Sequence, residues 1–140
     1  MNLFDILGPV MVGPSSSHTA GAVRMGQLSR ALLGQQPVKA EILLHGSFAS
    51  TGKGHGTPQA LVAGLLGLFP DDPRVPDSFA LAAERGLAYT FGTCILREVH
   101  PNSALLRLTG ADGSRVEVGA SSLGGGRVKV FRLDGLDTSF

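Results

Sequence analysis

At Gly86 the hydrophobic period of the chain changes, and no other feature narrows its fold as much. Before that glycine, apolar residues recur mainly at helical spacing. After it they alternate with a period of two almost to the end. Gly21, Met25, Leu28 and Leu32 follow at spacings of four, three and four, which predicts a helix over 16–33 with one buried stripe. Ser16 or Ser17 can cap it and Gly34 can end it. Residues 38–44 read as a strand apolar enough to be covered on both faces. Pro58 suits the first turn of a second helix over 58–69, and 77–85 read as a short third helix stopped by Gly86. The segments 88–98, 103–109, 114–121 and 127–133 then alternate as strands, the middle two joined by the hairpin signal Gly110-Ala111-Asp112-Gly113.

Helix–strand–helix followed by a run of strands is an α+β order, distinct from the βαβα alternation of a doubly wound sheet. The expectation is a single domain over 1–140, with a mixed sheet of about four strands and the helices packed on one face. A chain of 140 residues, 43% hydrophobic and 16% charged, has the composition of an ordinary globular domain. Its net charge of +1 and scattered arginines give nucleic acid no basic surface to bind. The most basic stretch, from Arg127 to Arg132, alternates with Val128 and Val130 and reads as the solvated face of a strand.

Cys94 is the only cysteine, so the chain can form no internal disulfide and no cysteine-rich metal or iron–sulfur site of its own. Its neighbours Phe91, Ile95 and Leu96 suggest a small buried apolar residue in a reducing compartment. Residues 1–5 lack a basic leader region, and the apolar stretch 60–69 is too short to span a bilayer. No membrane association is expected, and the cytoplasm is the expected location.

Two loops carry the chemistry. In the first, Gly13-Pro14-Ser15-Ser16-Ser17-His18-Thr19-Ala20-Gly21 runs from a Gly/Pro turn into a helix. The first N–H groups of a helix are unpaired and hold small anions, and an imidazole beside them can act as acid or base. Serines there can also serve only as caps, and His18 can merely pack. In the second, Gly52-Lys53-Gly54-His55-Gly56-Thr57, the flanking glycines leave His55 open to a ligand and Lys53 adds a positive charge. A mobile surface loop with an incidental histidine is the plainer reading. The stretch from Gly46 to Lys53 also matches the first eight positions of a Walker A phosphate loop, but the ninth is Gly54, where magnesium needs a hydroxyl. Only Asp134 closes a strand as a possible acidic metal ligand. His45 reads as a residue that orients a loop. His100 reads as a turn residue, with Asn102 able to donate to an oxygen. A Ser–His–Asp hydrolase fits poorly, because the serines lack the G-x-S-x-G elbow.

Five motifs occur in order: Phe4-Asp5-Ile6-Leu7-Gly8-Pro9, the 13–21 loop, Thr51 to Thr57, His100-Pro101-Asn102, and Gly124-Gly125-Gly126-Arg127-Val128. Together they resemble the β chain, or β domain, of the bacterial iron–sulfur-dependent L-serine dehydratases. That resemblance implies deamination of L-serine to pyruvate and ammonia, with a [4Fe–4S] cluster held by a cysteine-rich α chain and none bound by this chain alone. The cluster iron would act as a Lewis acid on the serine hydroxyl. It implies a fold like the substrate-binding regulatory domain of some phosphoglycerate dehydrogenases, no ACT domain within 1–140, and an isolated chain without activity. His18 and His55 would be the catalytic histidines. Ser15, Ser16, Ser17, Thr19, Lys53, Thr57 and Asn102 would bind the substrate. The glycine-bearing helix faces leave a homodimer or an α-chain interface open. Two other readings stand beside this one: a regulatory amino-acid-binding module, and a nucleotide-binding protein using the Walker-like loop.

Overall fold

In the computed structural model, residues 17–46, 56–97, 99, 101–124, 127–134 and 136–137 are described. Helix α1 spans Ser17–Leu33, strand β1 Pro37–Gly46, α2 Thr57–Leu65, a short 3-10 turn Val75–Asp77, and α3 Ser78–Arg85. Strands β2 (Ala88–Thr93), β3 (Asn102–Gly110), β4 (Arg115–Gly124), β5 (Arg127–Leu133) and β6 (Leu136–Asp137) follow. They form one six-stranded sheet in the order β2-β1-β3-β4-β5-β6, larger than the four strands expected. β2 runs parallel to β1, and every other neighbour is antiparallel, so the sheet is mixed and the domain is α+β.

The alternation sorts the strands into two faces. Ala40, Ile42 and Leu44 of β1, Ala104, Leu106 and Leu108 of β3, and Val116, Val118 and Ala120 of β4 point into the core with the helices. Lys39, Arg107 and Arg115 lie on the open face. β1 is therefore covered on one face only, contrary to its apolar reading: Val38 and Lys39 are exposed and Glu41 and Leu43 half-buried. β5 behaves as read, with Arg127 and Lys129 exposed and Val130 buried.

Helix α1 departs from its predicted stripe. Residues 20–26 are buried on every side, whereas Leu32 is 38% exposed. The sheet covers one side of its first half and α2 the other. That approach needs glycine: a Cβ on Gly26 would strike the Leu61 carbonyl, and one on Gly64 the Val23 carbonyl, so the helices cross backbone to backbone. The glycine-bearing faces are thus used inside the domain. α3 closes the opposite flank, where Phe79 stacks on Tyr89 at 5.1 Å and meets Phe91 at 6.2 Å. The predicted terminators act as expected, since Gly34 and Gly86 end α1 and α3 with φ of 86° and 77°. No described helix is long and apolar enough to cross a membrane.

Candidate functional site

Antiparallel pairing gathers four strand ends at one edge of the sheet. Gly46 at the end of β1 pairs with Asn102 at the start of β3, Ser103 with Ser121, and Gly124 at the end of β4 with Arg127. Both long helices present their N-termini toward this edge. α1 descends to Gly34 and the chain returns along β1, so its first turn lies beside the β1 exit. The other end of α2 is tied down at the far end of α1, where Gln27 Nε2 donates to the Leu68 carbonyl (2.9 Å) and Gln36 Nε2 to that of Leu65 (3.0 Å). The macrodipole makes both N-termini weakly positive.

Of the predicted site residues, Ser17, His18 and Thr19 are the first three of α1, the side chains of Ser17 and His18 lying outside the described set, and Thr19 is half-buried. Thr57 opens α2. It is fully buried, and its Oγ1 has no hydrogen-bond partner among the described residues. Its N-cap is Gly56, in the left-handed conformation and without a capping side chain. Asn102 is half-buried at the head of β3. Ser15, Ser16, Lys53, His55 and His100 lie outside the described residues. Thr19, Thr57 and Asn102, with the backbone of Ser17 and His18, thus lie at the same end of the sheet.

His45 does what a loop-orienting residue should: Nδ1 accepts the Leu96 N–H at 3.0 Å, pinning the segment after β2 to the end of β1. The exit of β1 is tight, since a Cβ on Gly46 (φ 62°) would strike the Pro101 carbonyl and come within 2.9 Å of its Cα. Cys94 is half-buried and burial pushes its thiol up, away from the thiolate form that metals require. Among the described residues no three His, Cys, Asp or Glu side chains gather as a metal site.

The phosphate-loop reading gains nothing from this geometry. α2 begins at Thr57, four positions after Lys53, where a Walker loop would already be helical. Asp134 bonds the Glu117 backbone in both directions, toward the other end of the sheet. There, an open depression of about 690 Å³ is lined by Lys39, Glu41, Arg107, Arg115, Glu117 and Asp134 among others. It is a surface of paired charges remote from the motif residues.

Sequence reasoning missed two buried polar residues near the first turns of α1. Arg24 is 2% exposed, and desolvation lowers its pKa. Ser122 is fully buried beneath Gly21. The signal for Ser122 was the run of small residues Gly119-Ala120-Ser121-Ser122 in a strand facing a glycine-bearing helix.

The family described as serine dehydratase beta chain matches residues 2–88. "L-serine dehydratase, beta chain" of Peptoniphilus asaccharolyticus is 45% identical over 138 residues, covering 98% of this chain and 62% of that protein. "Probable L-serine dehydratase, beta chain" of Bacillus subtilis is 40% identical over 136 residues, 97% of this chain and 61% of that protein. "L-serine dehydratase" of Helicobacter pylori is 42% identical over 89 residues, 60% of this chain and 20% of that protein. The chain therefore spans under two thirds of the length of these relatives.

Proposed function

The chain belongs to the serine dehydratase β chain family, and on that premise we propose that it is the β component of a cytoplasmic L-serine dehydratase. With a cysteine-rich α component it deaminates L-serine to pyruvate and ammonia. The observation that carries this reading is the convergence of both helix N-termini with Thr57 and Asn102 at one edge of the sheet. The residues of this chain do not fit a [4Fe–4S] cluster: it has one cysteine, half-buried and with a raised thiol pKa, where a cluster is held by several thiolates. On this reading the cluster is held by the α component.

The roles of this chain follow from its residue types. The first turn of α1 and Ser15, Ser16 and Ser17 hold the substrate carboxylate through N–H and O–H donors. Thr19, Lys53 and Thr57 support it, and Asn102 donates to an oxygen. The α-proton is weakly acidic, and a neutral imidazole is a base suited to removing it near neutral pH. His18 and His55 share that work: one takes the proton, and the other assists departure of the hydroxyl or orients the substrate.

Anaerobic co-expression of the two components, assayed for pyruvate from L-serine, tests the reading. His55→Ala and His18→Ala are each expected to lower kcat by about three orders of magnitude, with cluster content and assembly intact. Altered cooperativity with a near-normal maximal rate would move the chain to the regulatory reading.

A further inference from the structure

A buried hydroxyl that bonds nothing is uncommon in a folded protein and calls for a reason. Ser122 is such a group: fully buried on the helix-facing side of β4, its Oγ has no hydrogen-bond partner among the described residues. The adjacent Ser121 points to the other face, where its hydroxyl and that of Ser103 satisfy each other at 2.7 Å. Ser122 instead abuts Gly21, where an added Cβ would strike its Oγ and lie 2.8 Å from its Cβ. Gly21 is three residues beyond His18, roughly 4.5 Å along the helix axis. The hydroxyl therefore lies against the turn of α1 that follows Ser17, His18 and Thr19. A second orphan hydroxyl, Thr57 Oγ1, stands at the uncapped start of α2 at the same end of the sheet. Each is a standing cost to folding that a hydrogen-bonding ligand would remove.

We propose that the Ser122 hydroxyl is a substrate contact, hydrogen-bonding a polar group of the bound amino acid from the sheet side while Thr57 does so from α2. This assignment rests on the function proposed above and adds a residue that none of the recognised motifs contains.

The assembled two-component enzyme, probed with L-serine, provides the test. Ser122→Ala is expected to raise KM about tenfold with kcat within about twofold, the pattern of lost uniform binding. The rise in Tm on adding L-serine shrinks. Without L-serine the variant is as stable as the parent or more so, since an unsatisfied hydroxyl has gone. An unchanged KM overturns the proposal. So does a lower Tm without L-serine accompanied by a large fall in kcat, which assigns Ser122 to packing. A parent enzyme that neither turns over L-serine nor gains stability from it removes the proposed function, and this contact with it.

Discussion

The two ends of the sheet treat polar groups in opposite ways. At the end where the β3–β4 hairpin turns, they are exposed and paired. Gln35 donates to both Asp112 and Ser114, and Arg107 bridges Glu41 and Glu117 at 2.8 Å each. At the end where the helices begin, Thr57 and Ser122 are fully buried and bond nothing among the described residues. The first end is complete as it stands. The second leaves those hydroxyls without a partner among the described residues, and it has glycine at Gly26 and Gly64 where the helix backbones press together and at Gly21 where the Ser122 side chain abuts the helix. Perturbing the glycine-lined end should therefore be costly, and perturbing the charged end cheap.

The largest effect on stability is expected at Gly64→Ala. Glycine to alanine inside a helix ordinarily stabilises by up to about 1 kcal/mol. Here the new Cβ meets the Val23 carbonyl and lies 2.8 Å from the Gln27 nitrogen, both backbone atoms of a fully packed helix. A loss of about 3 kcal/mol, or failure to fold, is expected by chemical denaturation. A stabilised variant would show that α1 and α2 can slide apart, and that the close crossing does not set the site end.

Gly21→Ala should cost less, about 2 kcal/mol, because it meets a side chain. The Cβ and Oγ of Ser122 obstruct it, but the Ser122 Cα is 3.7 Å away, an ordinary contact. Ser122→Gly should therefore relieve Gly21→Ala more than Ser122→Ala, which removes the Oγ but keeps the obstructing Cβ. Double-mutant cycles read this as the larger coupling, about 1 kcal/mol or more, for the glycine pair. Equal coupling in both cycles would mean that the helix shifts as a body and the contact is not specific.

This contact also shows where the sequence could be read and where it could not. Strand β5 was readable to the residue, because exposed Arg127 and Lys129 alternate with Val128 and Val130. Strand β2 was read to 98 but ends at Thr93: its parallel partner β1 runs out at Gly46, and Cys94 and Leu96 bond Leu44 and His45 as the chain turns away. β4 runs three residues further than read, to Gly124, and β6 is two residues long, below what alternation can reveal. Leu32 was placed in the buried stripe because periodicity assumes a helix covered on one side. The first half of α1 is covered on both, and its last turns reach past the core. At the site, Thr57, Thr19 and Asn102 were visible as motif members. Ser122 was not, because a serine in a strand reads as a solvent-facing position and only the opposing glycine reveals its burial.

The charged end should respond weakly. Arg107 and Glu41 are each about half exposed (48% and 46%), so solvent screens the bridge. Arg107→Ala is expected to cost less than about 1 kcal/mol, and less again in 1 M salt, where the screening length is about 3 Å. A larger cost that persists in high salt would mean that the open face contributes packing as well as charge, and would narrow the contrast between the ends.

The smallest effect concerns acid. Asp112 is held down to about 2, first by the Ser114 side chain, then by its backbone N–H and by Gln35. Asp72 is held to about 2 chiefly by the Arg74 guanidinium. Both folded-state values lie below the roughly 3.9 of an aspartate in an unfolded chain. The unfolded state therefore binds protons first as pH falls, so the contribution of each carboxylate is complete above about pH 4 and is lost as pH falls through about 2. Asp112→Asn should thus be slightly less stable than the parent at pH 7 and converge with it toward pH 2, in denaturation curves at fixed ionic strength. Because Asp112 pins the hairpin to the loop after α1 through Gln35, the variant should leave KM for L-serine unchanged. A gap that widens on acidification would reverse the sign of the linkage. A shifted KM would mean that the two ends of the sheet are coupled rather than independent.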